Sequence, residues 1–201
     1  MINYEQKLKS GSYIRVISTK QQIVIGNTYS YGLNHITKAI NRNGGTYNKC
    51  PHFTILKDGT IHQHFDIKFY SNYLDNEFSK EAITIALENI GQIFSNNGKY
   101  NDIYNNRYYE VPLEKTWKNC NLWDPYTKEQ FNSALELCNY LLTETVVKRN
   151  VVPTNVQKAD ISNFKGICYK SNFDSKHYDL NPSWDFEQFK LKIEIKQEKN
   201  G

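Results

Sequence analysis

The chain has 201 residues, which suits one domain, or one domain with a long insertion, and is enough to bury a sizeable core without covalent staples. Apolar residues make up 39% and charged residues 23%, and the net charge of +4 is spread along the chain without a dense Lys/Arg run, which disfavours nucleic acid as a partner. No stretch approaches the ~20 apolar residues of a membrane span, and the segment from Met1 to Lys7 lacks the apolar centre of a secretory signal.

Ile14-Arg15-Val16-Ile17 and Gln22-Ile23-Val24-Ile25 read as β-rich runs, the second bounded by Gly26 and Asn27. Leu33, Ile36 and Ile40 then recur at helical spacing, and Gly44-Gly45 ends that helix. The clearest hairpin follows: His52 to Leu56, the turn Lys57-Asp58-Gly59-Thr60, then Ile61 to Phe65. From Ser79 to Phe94 two readings compete. Ile83, Leu87 and Ile90 fit a helix with Ser79 as its N-cap, while Ile83-Thr84-Ile85 equally fits a buried strand. Residues 95–125, rich in Asn, Tyr and Trp, read as a long irregular surface insertion. The best helix starts at Thr127, where Thr127 and Gln130 make a capping box. Phe131, Ala134, Leu135, Cys138, Leu141 and Leu142 form its apolar stripe. Pro182-Ser183 opens a short helix carrying Phe186, Phe189 and Ile193, and the charged tail from Lys196 to Gly201 reads as frayed. Strands interleaved with helices indicate an α/β domain with a mixed central sheet flanked by helices, spanning 1–201.

The four cysteines, Cys50, Cys120, Cys138 and Cys168, show neither a CxxC pair nor zinc-finger spacing and read as reduced thiols. The fifteen tyrosines suit a sugar- or peptide-binding surface. Synthesis in the cytoplasm is the expectation, and any route to a cell wall would be non-classical.

Four segments, in this order, resemble the type 2 N-acetylmuramoyl-L-alanine amidases, which share a fold with the peptidoglycan recognition proteins. They are Ile23 to Thr28, Pro51 to Ile61, Ala82 to Asn89, and Lys165 to Lys170 running on to Asp179-Leu180-Asn181-Pro182. The resemblance covers roughly residues 20–192. It implies the amidase fold, and it favours a strand for residues 83–89. It also implies three zinc ligands with an open position for water, a Glu as acid/base and a Lys that stabilises an oxyanion.

The matched positions depart from that pattern. The first ligand position holds Gly26, the second Lys170 and the third Asp179. The Glu position holds Ala86, and the oxyanion Lys position holds His177, beside Lys176. A His that lines the groove in relatives is matched by Tyr73, or by Asn72 if the register slips by one. One carboxylate is too little to hold zinc, so no cofactor is expected, and a Lys170–Asp179 ion pair is expected in the metal's place. Asn27, Tyr73, Lys170, His177 and Asp179 are the expected groove residues.

Other groups allow sharper and blander readings. His62 and His64 share a strand face, and with His52 they could hold a relocated zinc or simply pack near Tyr and Phe. Cys50 with His52 could form a nucleophile–base pair, though nothing in the sequence orients the His. Cys168 stands near the former metal site but reads as a core thiol. Trp117, Trp123, Tyr104, Tyr108 and Tyr109 either stack on sugars, form a partner patch or pin the insertion to the core. The resulting expectation is a degenerate amidase-like domain that binds peptidoglycan or a muropeptide. One alternative is an interaction module with a protein partner in a phage, injection-system or other assembly. Another is an active amidase with an unconventional site.

Overall fold

The computed structural model describes residues 2, 3, 8, 11–75 and 77–195, so the expected frayed tail from Lys196 lies outside the described residues. Its strands are β1 (Ile2–Asn3), β2 (Gln22–Asn27), β3 (Phe53–Ile55), β4 (Ile61–Gln63), β5 (Ala82–Leu87), β6 (Phe94–Asn96), β7 (Lys99–Asn101), β8 (Arg107–Tyr108), β9 (Leu113–Trp117), β10 (Cys120–Trp123) and β11 (Gly166–Tyr169). The helices are α1 (Asn34–Asn41), α2 (Lys128–Glu144) and α3 (Phe186–Glu194). Six strands form the central sheet in the order β1-β4-β3-β5-β2-β11. β3 and β4 pair antiparallel and the other neighbours run parallel, so the sheet is mixed.

β2 and β5 are buried at every position. Their alternating side chains divide between two cores. Ile23, Ile25, Ile83, Ile85, Leu87 and Ile167 pack against Ala134, Leu137, Cys138 and Leu141 of α2 and against Phe189 and Ile193 of α3. Each such aliphatic side chain contributes about 1.5–3 kcal/mol when fully buried. Val24, Ala82, Ala86 and Cys168 face the other way, where Tyr73, Leu74 and Ile161 cover them. α1 seats Ile36 and Ala39 against Cys50 and Phe65.

Several expectations are met for the stated local reasons. The β3–β4 turn is closed by the Leu56 N–H donating to the Thr60 carbonyl, with Gly59 at φ 84°. The Thr127/Gln130 capping box opens α2 in both directions. Asn43 (φ 50°) and Gly44 (φ 66°) terminate α1 in left-handed backbone.

Others are corrected. Ile14–Ile17 forms no strand: Ile14 makes one bridge to Tyr70, and Val16 and Ile17 are exposed. The helix reading of 83–90 fails because β5 lies in the sheet interior, and Ser79 accepts from the Leu74 N–H instead of capping a helix. Residues 95–125 are not irregular. β6-β7-β8 form one small antiparallel sheet and β9-β10 a second. Their turns use left-handed backbone at Asn97 (φ 50°) with Gly98 (φ 71°), and at Lys118 (φ 47°) with Asn119 (φ 61°). α3 starts at Phe186, capped by Asp185, and not at Pro182. No helix among the described residues is long and apolar enough to cross a membrane.

Candidate functional site

The parallel strands β2, β5 and β11 end side by side. Gly26 pairs with Ala86 across β2 and β5, and Tyr169 pairs with Ile25, which brings Lys170 beside Gly26. Gly26 and Ala86 fall on the sheet face turned away from α2 and α3. A Cβ placed on Gly26 would lie 3.0 Å from the Tyr73 hydroxyl and 3.3 Å from Lys170 Cβ. The room that a longer side chain at position 26 would need is taken by those two residues.

Asp179 follows on the loop after β11 and is fully buried. Its Oδ1 accepts from the Asn27 N–H at 2.9 Å, and the Tyr29 side chain is close enough to hydrogen-bond the carboxylate. Three tyrosines surround this carboxylate. The Tyr126 hydroxyl donates to Asn27 Oδ1 at 2.6 Å, the Tyr73 hydroxyl points to the Asn27 carbonyl, and Tyr29 stands close by. Burial, reinforced by the nearby Asp179, pushes the pKa values of Tyr29, Tyr73 and Tyr126 well above the usual phenol value. Burial also raises the Asp179 pKa, against the opposing pull of Lys170 and His177.

The expected Lys170–Asp179 ion pair is not made. Ion pairs among the described residues join Lys49 to Asp75, Lys57 to Asp124 and Glu110, and Lys68 to Asp66. Lys170 instead places its ammonium 4.5 Å from the centroid of the Tyr73 ring. The Tyr73 face offers the lysine a partner there.

These residues do not fit a zinc ion. The three matched positions supply no side chain, an ammonium and a single carboxylate, where zinc needs three N, S or O donors. Among the described residues no group of three His, Cys, Asp or Glu could hold a metal. His52, His62 and His64 do not form such a group either. His52 uses Nδ1 to accept from the Thr84 N–H and Nε2 to donate to the Phe69 carbonyl, and burial lowers its pKa to about 3. Its ring packs 4.3 Å from that of Phe65.

A groove of about 470 Å³ opens above this floor, within the range of small-molecule sites. Of the expected groove residues, Asn27, Tyr73 and Lys170 line it, together with Ala86. His177 and Asp179 do not border it, because Asp179 lies beneath the floor. Asn72 is not among the lining residues, whereas Tyr73 is. Cys50 borders the groove as a buried thiol, raised to about 12 by burial, so it is protonated and unreactive at neutral pH. Cys168 is likewise a buried core thiol.

Several lining residues escaped the sequence reading, among them His35 and Lys38 on α1, Arg42 just after it, and Lys49. The Lys38–Arg42 spacing of one helical turn was the available signal. His35 Nε2 hydrogen-bonds Thr54 Oγ1 at 2.9 Å, and Thr54 in turn meets His64 Nε2 at 2.8 Å.

The aromatic insertion pins the Asp179 loop. Tyr178 packs on both Trp117 and Trp123, and the Lys118 ammonium donates to the carbonyls of Ser175 and His177. Tyr104 donates to the Tyr29 carbonyl, Tyr108 donates to Asp124, and Tyr109 remains exposed.

No protein-family model matches the sequence, and no curated protein matches it. Solved structures do. The endolysin N-acetylmuramoyl-L-alanine amidase LysCS from Clostridium intestinale URNW superposes with a TM-score of 0.58 at 16% identity, covering 96% of this chain and 95% of that one. The amidase LysC from the same organism gives 0.56 at 15% identity, with 96% and 97% covered. The N-acetylmuramyl-L-alanine amidase AmiD from E. coli, solved with its substrate anhydro-N-acetylmuramic acid-L-Ala-D-γ-Glu-L-Lys, gives 0.58 at 11% identity, with 89% and 59% covered. In its mixed α/β architecture and near-complete overlap, this chain has the fold of the N-acetylmuramoyl-L-alanine amidases.

Proposed function

We propose that this chain is a catalytically degenerate amidase-like domain, a pseudoenzyme that binds peptidoglycan or a related glycopeptide without zinc-dependent hydrolysis. One observation carries the reading. The Tyr73 hydroxyl and the Lys170 stem stand against Gly26, where a metal-binding side chain would have to enter. The residue matched to the acid/base position, Ala86, has no proton to exchange. A groove nevertheless persists over the same floor, lined by tyrosines and cations. Binding surfaces of this kind suit sugars and peptides. Structural neighbours that act on muramoyl peptides make a peptidoglycan fragment the natural ligand to try.

The test is co-sedimentation of the chain with purified peptidoglycan, with and without a chelator, followed by mass spectrometry of the supernatant. Saturable, chelator-insensitive binding that leaves the muramoyl–L-alanine amide intact supports the reading. Release of free peptide on adding zinc contradicts it and indicates an active amidase. Absence of binding contradicts it too, and leaves an interaction module as the better reading.

A further inference from the structure

The groove wall is far more basic than the chain. The whole sequence has 25 basic and 21 acidic residues, whereas the groove is lined by Lys38, Arg42, Lys49 and Lys170 against Asp75 alone. Asp75 is taken up by Lys49. None of the other three cations forms an ion pair with a described residue. Each stands over a tyrosine ring: Lys38 is 5.3 Å from the centroid of Tyr104, Arg42 4.8 Å from Tyr47, and Lys170 4.5 Å from Tyr73. The buried Asp179 is not among the lining residues; of the groove cations it interacts with Lys170.

Stacking on a ring holds a long, flexible cation in place while leaving its N–H groups free to donate. Less side-chain entropy is then lost when a ligand arrives. Arg42 can present a two-pronged donor to a carboxylate, and Lys38 and Lys170 add point charges. Lys38 lies on α1 and Arg42 directly follows the last residue of that helix, and both line the groove. A neutral ligand uses none of this.

We propose that the groove selects its ligand by charge, taking muropeptides whose stem-peptide carboxylates are free over those whose carboxylates are amidated. This inference rests on the peptidoglycan-binding reading and adds to it the class of stem peptide. The probe is anhydro-N-acetylmuramic acid-L-Ala-D-γ-Glu-L-Lys as the free acid, with its fully amidated twin, titrated calorimetrically into the full chain at low and high salt. The free acid should bind about tenfold tighter, or about 1.4 kcal/mol. That margin should shrink at 0.5 M salt, where screening acts within a few ångströms. Lys38→Ala/Arg42→Ala should abolish the margin. Both residues are exposed, so circular dichroism should show an unchanged fold. Equal, salt-independent affinity for the two ligands overturns the charge selection while leaving the binding reading intact. Binding of neither ligand overturns both.

Discussion

The two faces of the central sheet follow different rules. Under α2 and α3 the strands present Ile23, Ile25, Ile83, Ile85, Leu87 and Ile167, residues whose task is to exclude water. On the opposite face the same strands present Val24, Gly26, Thr84, Ala86 and Cys168, with Lys170 following. The first face is specified by residue class, because any aliphatic residue of the right volume closes it. The second is specified by size and partner: a missing Cβ at Gly26 makes room for Tyr73 and Lys170, and a hydroxyl at Thr84 pairs with His52. Substitutions on the second face can therefore be accommodated without disturbing the first.

The largest effect should come from breaking the apolar face. Ile85→Ala removes a fully buried side chain from the helix-covered core and should cost about 2–5 kcal/mol in chemical denaturation. A loss below 1 kcal/mol would mean that this face does not carry the fold.

Acid should distinguish the faces next. Burial holds His52 at about 3 and His35 at about 4, so both rings stay neutral in the folded chain at neutral pH and well below it. The unfolded chain takes up these protons near pH 6.5. Stability should therefore fall as pH drops from about 6.5 towards 4, by about 1.4 kcal/mol per pH unit for each ring while only the unfolded form is protonated. Asp179, raised by burial, acts in the opposite sense, because the folded chain takes its proton first. Denaturation midpoints between pH 6.5 and 5 check the slope, which His52→Gln should make shallower. A flat profile would contradict neutral buried rings.

A smaller effect is expected at the floor. Gly26→Ala should destabilise by about 1 kcal/mol through contact with Tyr73 and Lys170. Adding Lys170→Ala should recover part of that cost, a coupling that a double-mutant cycle measures. Additive effects would show that Lys170 does not fill the space over Gly26.

The same contrast explains what the sequence discloses. Ile23-Val24-Ile25, the Asp58-Gly59 turn and the Thr127/Gln130 capping box are local signals, and the structure keeps each of them. β5 stayed ambiguous because a strand buried on both faces shows no alternation. The insertion did carry a readable hairpin signal in Asn97-Gly98, overshadowed by its polar composition. Ile14–Ile17 has β-rich composition but only one pairing partner, so its apolar side chains remain outside. At the site, resemblance placed Gly26, Ala86 and Lys170 together, as the strand register does. It missed the cation–tyrosine wall, because Lys38 with Tyr104 and Arg42 with Tyr47 meet only in three dimensions or around a loop. It also misjudged the Lys170–Asp179 pair, because a third residue, Tyr73, attracts the ammonium.

The proposal of a site without metal is tested most directly by native mass spectrometry of the chain produced in zinc-supplemented medium and then exposed to excess zinc. The expected result is the mass of the bare chain, identical in wild type and Asp179→Asn. One zinc per chain, retained through buffer exchange and lost in Asp179→Asn, would contradict it.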